Sequence, residues 1–204
     1  MRYLTYMYTS LVPYLILSFL HLSLRSEGKH RAVVVTKALL MPSLALFVPK
    51  TQAYSCLLLG LAFATGGDVL LTKSKQYRWF LAGMALFALS HIAYSLQLLS
   101  TSVSPLPALI TFVILAAGCM VLIRTLGKGT GRLKYLLYAL NLSTMSALCA
   151  GSGSLVCILG ALAFLISDGM IALDTMGVRT SKKISEMSLY ILAQLLLVLG
   201  FTAI

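Results

Sequence analysis

Two aspartates lie inside long apolar stretches of the sequence, Asp68 in AFATGGDVLL and Asp168 in GALAFLISD. A carboxylate in an apolar membrane helix costs about 3 kcal/mol on insertion scales unless it has a partner or a water-filled cavity. Two carboxylates within reach of each other in a low-dielectric site cannot both ionise cheaply, so one of them is expected to keep its proton. The sequence therefore offers one acid and one base, the two groups that general acid/base catalysis needs.

A cation lies in a third apolar stretch, Lys37 in VVVTKALL. A purely structural ion pair between Lys37 and one aspartate is the alternative to catalysis. That alternative leaves the second aspartate unexplained.

Composition places these residues in a membrane protein. Of the 204 residues 59% are hydrophobic and 10% are charged, whereas a soluble domain carries about 25% charged residues. Eight segments are long enough as helices to cross a hydrocarbon layer of about 30 Å. We predict an all-α, polytopic membrane protein, a single bundle of eight transmembrane helices that forms one domain over residues 1–204. The predicted spans are 5–24, 32–48, 53–72, 79–98, 106–125, 134–150, 154–174 and 184–204.

The positive charge follows the loops between these spans. The formal net charge is +11, yet thirteen of the 16 Lys and Arg residues lie in or next to the loops after spans one, three, five and seven. The positive-inside rule therefore puts those loops in the cytoplasm and both termini on the opposite side. The charge sets topology in a multi-pass protein, which we expect in the cytoplasmic membrane of a bacterium, with membrane lipids as partners and no nucleic acid.

Other polar side chains are expected to line one interior pocket that opens toward the cytoplasm. Counted along their helices at about 1.5 Å per residue, Lys37, Asp68 and Asp168 all lie roughly 7–9 Å below the cytoplasmic surface. A row of small residues, Gly60, Ala64 and Gly67, lets a neighbouring backbone approach Asp68. The further candidates are His91 and Tyr94 on an aromatic face with Phe80, Gly83 and Phe87, then Tyr138, Asn141, Ser167, Tyr190 and Gln194.

Several residues have a simpler interpretation. Asn141 and Gln194 are more often interhelical hydrogen-bonding groups than catalysts. Asp174 is expected at the solvated surface, and His21 and His30 are expected to touch lipid headgroups. The four cysteines are interpreted as small packing residues.

Other hydrolase chemistries do not fit the sequence. Three histidine ligands for zinc are lacking, because His21, His30 and His91 are predicted at different depths. The G-x-S-x-G elbow of serine hydrolases is absent. Around the aspartates the sequence reads TGGD and ISD, whereas an intramembrane aspartyl protease would have Gly-x-Gly-Asp and Tyr-Asp. No metal is expected.

Five motifs in order resemble the YhhN-like lysoplasmalogenase family of membrane hydrolases. They are TKALLMP (36–42), GGDVLL (66–71), FLAGMALFALSHIAY (80–94), GALAFLISD (160–168) and YILAQ (190–194). The resemblance covers nearly the whole chain. The family usually has Lys-Pro in the first motif, whereas here Lys37 is followed by Ala38 and the proline is Pro42.

The resemblance implies that the protein hydrolyses the vinyl ether bond of a lysoplasmalogen, with either a choline or an ethanolamine headgroup, without a cofactor. The products would be a fatty aldehyde and a glycerophosphodiester. Asp68 and Asp168 would be the acid and the base, and the sequence leaves open which is which. Lys37 would lie near the headgroup phosphate or tune the aspartates, while the other candidates would orient the substrate. The sequence leaves the oligomeric state open.

A second function uses the same residues. The intramembrane aspartates and Lys37 could form the proton relay of a small transporter, or the polar site of a lipid-binding protein. Internal inverted repeats would favour transport, and none is visible in the sequence.

Overall fold

A computed structural model describes residues 9–72, 76–126, 132–178 and 183–204. In these ranges the chain forms eight α-helices and no strand. The helices are α1 Val12–Ser26, α2 His30–Ala45, α3 Ser55–Leu71, α4 Tyr77–Leu99, α5 Pro105–Leu126, α6 Arg132–Gly151, α7 Leu155–Thr175 and α8 Lys183–Ala203, with a short 3₁₀ turn at Gln52–Tyr54. The all-α prediction is confirmed for these ranges. Five of the basic loop residues behind the topology prediction lie outside them: Lys73, Lys75, Lys128, Arg179 and Lys182.

Five of the helical segments are long and apolar enough to cross a membrane: Gln52–Leu71, Tyr77–Leu99, Pro105–Thr125, Leu155–Thr175 and Ile184–Ala203. Helices α1 and α2 have 15 and 16 residues. Helix α6 has 20 residues but begins with two cations, Arg132 and Lys134. The chain is therefore a multi-pass membrane protein, and the eight-span count with both termini outside stays a prediction.

The chain divides into two compact units, Met1–Tyr94 and Ser95–Ile204. The boundary falls within α4. The predicted single domain over residues 1–204 stays a prediction, and each unit is described separately below.

In the first unit, aromatic side chains of α4 pack against glycine residues of α3. A methyl group at Gly60 would come within 2.3 Å of the Tyr94 ring, and one at Gly67 within 2.7 Å of the Phe87 ring and 3.2 Å of the Gly83 carbonyl. These rings lie directly on the backbone of α3, as small residues in membrane helices allow. The small-residue row of α3 therefore packs against the aromatic face of α4.

The second unit is built from sequential helix pairs, α5 with α6, α6 with α7 and α7 with α8. Helices α7 and α8 approach closely, because a methyl group at Gly160 would lie 2.9 Å from the Leu197 amide nitrogen. Helix α5, in contrast, leaves most of its apolar side chains exposed, including Val113 at 56% and Ile114 at 64%.

Candidate functional site

Lys37 and Asp68 form an ion pair between α2 and α3 of the first unit. The Lys37 Nζ atom lies 3.2 Å from Asp68 Oδ1, and the two side chains are 13% and 1% exposed. Helix α2 continues past Lys37 and through Pro42 to Ala45, so the displaced proline leaves Lys37 on regular helix. Lys37 and Asp68 therefore meet, while the common depth of Lys37, Asp68 and Asp168 below the cytoplasmic surface stays a prediction. In such a buried pair each partner stabilises the charged form of the other.

Helix α1 adds a polar face that the sequence interpretation missed. Its buried residues are Tyr14, Ser18 and His21, spaced by four and three positions and so on one side of the helix. The Tyr14 hydroxyl is close enough to Asp68 and Tyr94 to interact with both electrostatically. The spacing of these three polar residues among leucines was the signal that could have revealed the face.

His21 is wholly buried, so its predicted contact with headgroups is wrong. Its Nδ1 atom lies 2.8 Å from the Thr36 hydroxyl oxygen, one residue before Lys37, and the ring interacts electrostatically with Lys37. The sequence could not give the rotation of α1 about its axis, which brings this face onto α2. His30 is exposed, and its contact with lipid headgroups stays a prediction.

In the second unit, Asp168 is held by a tyrosine. The Tyr138 hydroxyl of α6 donates a hydrogen bond of 2.5 Å to Asp168 Oδ2 of α7, and both side chains are half-buried. Such short O–H···O contacts are typical of bonds to carboxylates. A tyrosine hydroxyl can also accept a hydrogen bond, so Tyr138 can stay bonded to Asp168 whether the carboxyl group is ionised or protonated.

The remaining candidates of the second unit have structural partners. The Ser167 hydroxyl donates to the Glu186 carbonyl at 3.1 Å and so links α7 to α8. The Gln194 amide donates to the Tyr190 hydroxyl at 3.4 Å, and the Tyr190 ring meets Phe164 edge to face at 5.7 Å. Asn141 is half-buried on the helix that carries Tyr138.

His91 and Tyr94 are fully buried on α4 of the first unit. Asp174 is exposed, as predicted. In the part of the chain that the structure describes, no three His, Cys, Asp or Glu side chains are grouped as metal ligands. Asp68 and Asp168 belong to different units, so their predicted common cavity stays a prediction.

The sequence model of the YhhN family matches residues 32–201. The chain belongs to the YhhN family. The match confirms the resemblance seen in the five motifs, and it contains all ten predicted site residues of this YhhN-family chain. His21 and Tyr14 precede the matched range. Neither a curated protein nor a solved structure matches the chain.

Proposed function

We propose that the protein is a lysoplasmalogenase, an ether hydrolase that cleaves the vinyl ether bond of 1-alkenyl lysophospholipids. The observation that carries the proposal is the buried Lys37–Asp68 ion pair in a YhhN-family chain. A charge pair inside an apolar bundle marks a functional site more often than a structural one. The substrate is a membrane lipid, so an intramembrane site is suited to receive it.

The reaction requires protonation of carbon. Vinyl ethers are acid-labile because a proton added to the β carbon gives an oxocarbenium ion. Water then adds to this cation and loses a proton, and the resulting hemiacetal collapses to an aldehyde and the free glycerol hydroxyl. The enzyme must supply a proton, a negative charge beside the cation and a base for the water.

The pairing of Asp68 with Lys37 supports an anionic role for Asp68. With Lys37 at 3.2 Å, the Asp68 carboxylate is the group that stabilises the oxocarbenium ion and accepts the proton of the attacking water. This role resembles that of the carboxylate in paired-carboxylate glycosidases. Lys37 orients Asp68 and contributes to binding the headgroup phosphate.

Asp168 then supplies the proton. Its bond to Tyr138 keeps one carboxyl oxygen in place, and the carboxyl group is proposed to carry the acidic proton. After proton transfer the carboxylate is stabilised by the same tyrosine hydroxyl. His91, Tyr94, Asn141, Ser167, Tyr190 and Gln194 are proposed to shape and orient the lipid site.

The experiment that tests the proposal is direct. Purified protein in detergent is incubated with lysoplasmenylcholine and lysoplasmenylethanolamine, and fatty aldehyde is measured. Release of aldehyde with stoichiometric glycerophosphodiester is expected, and its absence at every substrate concentration would refute the proposal. A saturated ether lysolipid is the matched control, because it has no double bond to protonate.

The same assay separates hydrolysis from transport. A transporter that uses the Lys37–Asp68 pair as a coupling site needs a sealed vesicle, whereas hydrolysis does not. Proton flux in proteoliposomes without aldehyde release would favour the transporter. We further propose that all eight helices span the cytoplasmic membrane of a bacterium, with the site open to the cytoplasm.

A further inference from the structure

The His21 imidazole is a buried group that the proposed reaction does not use. It is 0% exposed, and its Nδ1 atom is partnered by the Thr36 hydroxyl. Among the described residues, no donor or acceptor lies within hydrogen-bonding distance of Nε2. Leaving such a group unpaired costs about 1–3 kcal/mol, so Nε2 would gain a hydrogen bond from any donor that reaches it.

The hydrogen bonds around Thr36 fix the tautomer of the ring. The Thr36 hydroxyl donates its single hydrogen to its own helix, to the carbonyl of Ala32 at 2.9 Å or Val33 at 3.2 Å. Toward His21 it can therefore only accept, which places the ring hydrogen on Nδ1.

The ring is neutral as well. In the described ranges, neither of the two ion pairs involves His21, and burying an unpaired imidazolium is far more costly than burying the neutral ring. A neutral ring with its hydrogen on Nδ1 carries a lone pair on Nε2. This atom is therefore a hydrogen-bond acceptor and not a donor.

The His21 ring lies near two cations. Thr36 precedes Lys37 in α2, and the ring interacts electrostatically with Arg25 and with Lys37, which is paired with Asp68. A lipid whose headgroup phosphate binds at Lys37, as proposed above, would bring its glycerol backbone toward His21.

We infer that His21 Nε2 accepts a hydrogen bond from the free sn-2 hydroxyl of the lysophospholipid and so selects the lyso form. The inference rests on the proposed function. In lysoplasmenylcholine the nitrogen is quaternary and the phosphate is ionised, so the sn-2 hydroxyl is the only hydrogen-bond donor. A lipid acylated at that position has no donor and leaves Nε2 buried without a partner, which is the strongest form of rejection available to a polar site.

The test measures binding rather than turnover. Full-length protein in detergent is titrated with the uncleavable saturated ether 1-O-hexadecyl-glycerophosphocholine and with its 2-deoxy analogue, which lacks only the hydroxyl. The wild-type protein is expected to bind the hydroxyl compound about tenfold more tightly, the effect of leaving one buried acceptor unpaired.

Variants at the same position assign the effect to Nε2. His21→Asn keeps an amide hydrogen for Thr36 and has no acceptor at Nε2, so the ratio of affinities should fall to about one. His21→Gln places its carbonyl oxygen near that position and should keep most of the preference. His30→Asn changes an exposed histidine at the start of α2 and serves as the matched control.

Equal binding of the two ligands by the wild-type protein would overturn the inference, and so would a preference that survives in His21→Asn. If that variant does not fold, Thr36→Val replaces it. Without the Thr36 hydroxyl the ring hydrogen of His21 is no longer fixed on Nδ1, so the preference for the hydroxyl ligand should fall. An unchanged ratio of the two affinities in Thr36→Val would also contradict the inference. Aldehyde release with equal binding refutes only the role of His21, whereas selective binding without aldehyde release refutes the hydrolysis.

Discussion

Lys37 Nζ lies 3.2 Å from Asp68 Oδ1, and the aspartate is only 1% exposed. Removing one partner of such a pair strands the other charge in an apolar bundle and typically costs about 3–5 kcal/mol. We therefore expect Asp68→Asn and Lys37→Met each to lower the melting temperature. The double variant should recover most of that stability, because neither buried charge remains.

Activity should not return in the double variant, although its stability should. If Asp68 is the base, Asp68→Asn should lower turnover by about 10² to 10⁴, the usual contribution of one general acid or base. The double variant should then be folded and inactive. Aldehyde release restored in the double variant would instead establish the ion pair as purely structural.

The second prediction concerns Asp168 and the tyrosine that holds it. Asp168→Asn should cut turnover by about 10² to 10⁴, because an amide cannot deliver the proton. Tyr138→Phe removes the 2.5 Å hydrogen bond and should lower turnover by about tenfold while the acid remains. Tyr135→Phe, on the same helix and next to the Lys134 ammonium, is the control and should be unchanged. An equal loss for both tyrosines would mean that α6 had been disturbed as a whole.

A third prediction concerns the glycine contact between α3 and α4. Gly60→Ala would place a methyl group 2.3 Å from the Tyr94 ring and should destabilise the protein by about 1–3 kcal/mol. Gly118→Ala in α5 has nothing within 4 Å of the added methyl group, so it should be neutral or stabilising by up to about 1 kcal/mol, since alanine favours helix over glycine. Thermal melting in one detergent measures both. Similar melting shifts in the two variants would contradict the close packing at Gly60.

The fourth prediction tests topology. In a cysteine-free background, Glu27→Cys in the turn after α1 and Gln52→Cys before α3 are both exposed. The positive-inside rule predicts that Glu27→Cys reacts with a membrane-impermeant maleimide only from the cytoplasm, and Gln52→Cys only from outside. Labelling of both from the same side would overturn the eight-span topology.

The sequence predicted the helices and one half of the site well. Long apolar runs closed by polar turns fixed most boundaries, and the small row at Gly60 and Gly67 indicated the close helix contact. The cost of a buried charge predicts that Lys37 pairs with one of the two aspartates, and only the structure identifies that partner as Asp68.

The remaining features of the site depend on how each helix is rotated about its axis and on which residues of neighbouring helices meet. The sequence interpretation puts His21 at the headgroups because the residue lies near the end of the predicted span 5–24, whereas in the structure it lies on the side of α1 that packs against α2. Tyr14 lies on the same face, and the sequence interpretation does not use its spacing with Ser18 and His21. The bond between Tyr138 and Asp168 was hidden because each residue had been considered on its own helix, and no spacing rule relates residues thirty positions apart.

The exposed apolar face of α5 makes the stability of this protein depend on the detergent or lipid around it. Helix α5 packs against α6 but leaves Val113 and Ile114 more than half exposed. Each apolar side chain of this kind that moved from hydrocarbon into water would cost about 1.5–3 kcal/mol. The surrounding solvent therefore acts as a structural neighbour of α5. Micelles with short alkyl chains should loosen this edge first, and longer chains or added lipid should raise the melting temperature without any change in sequence.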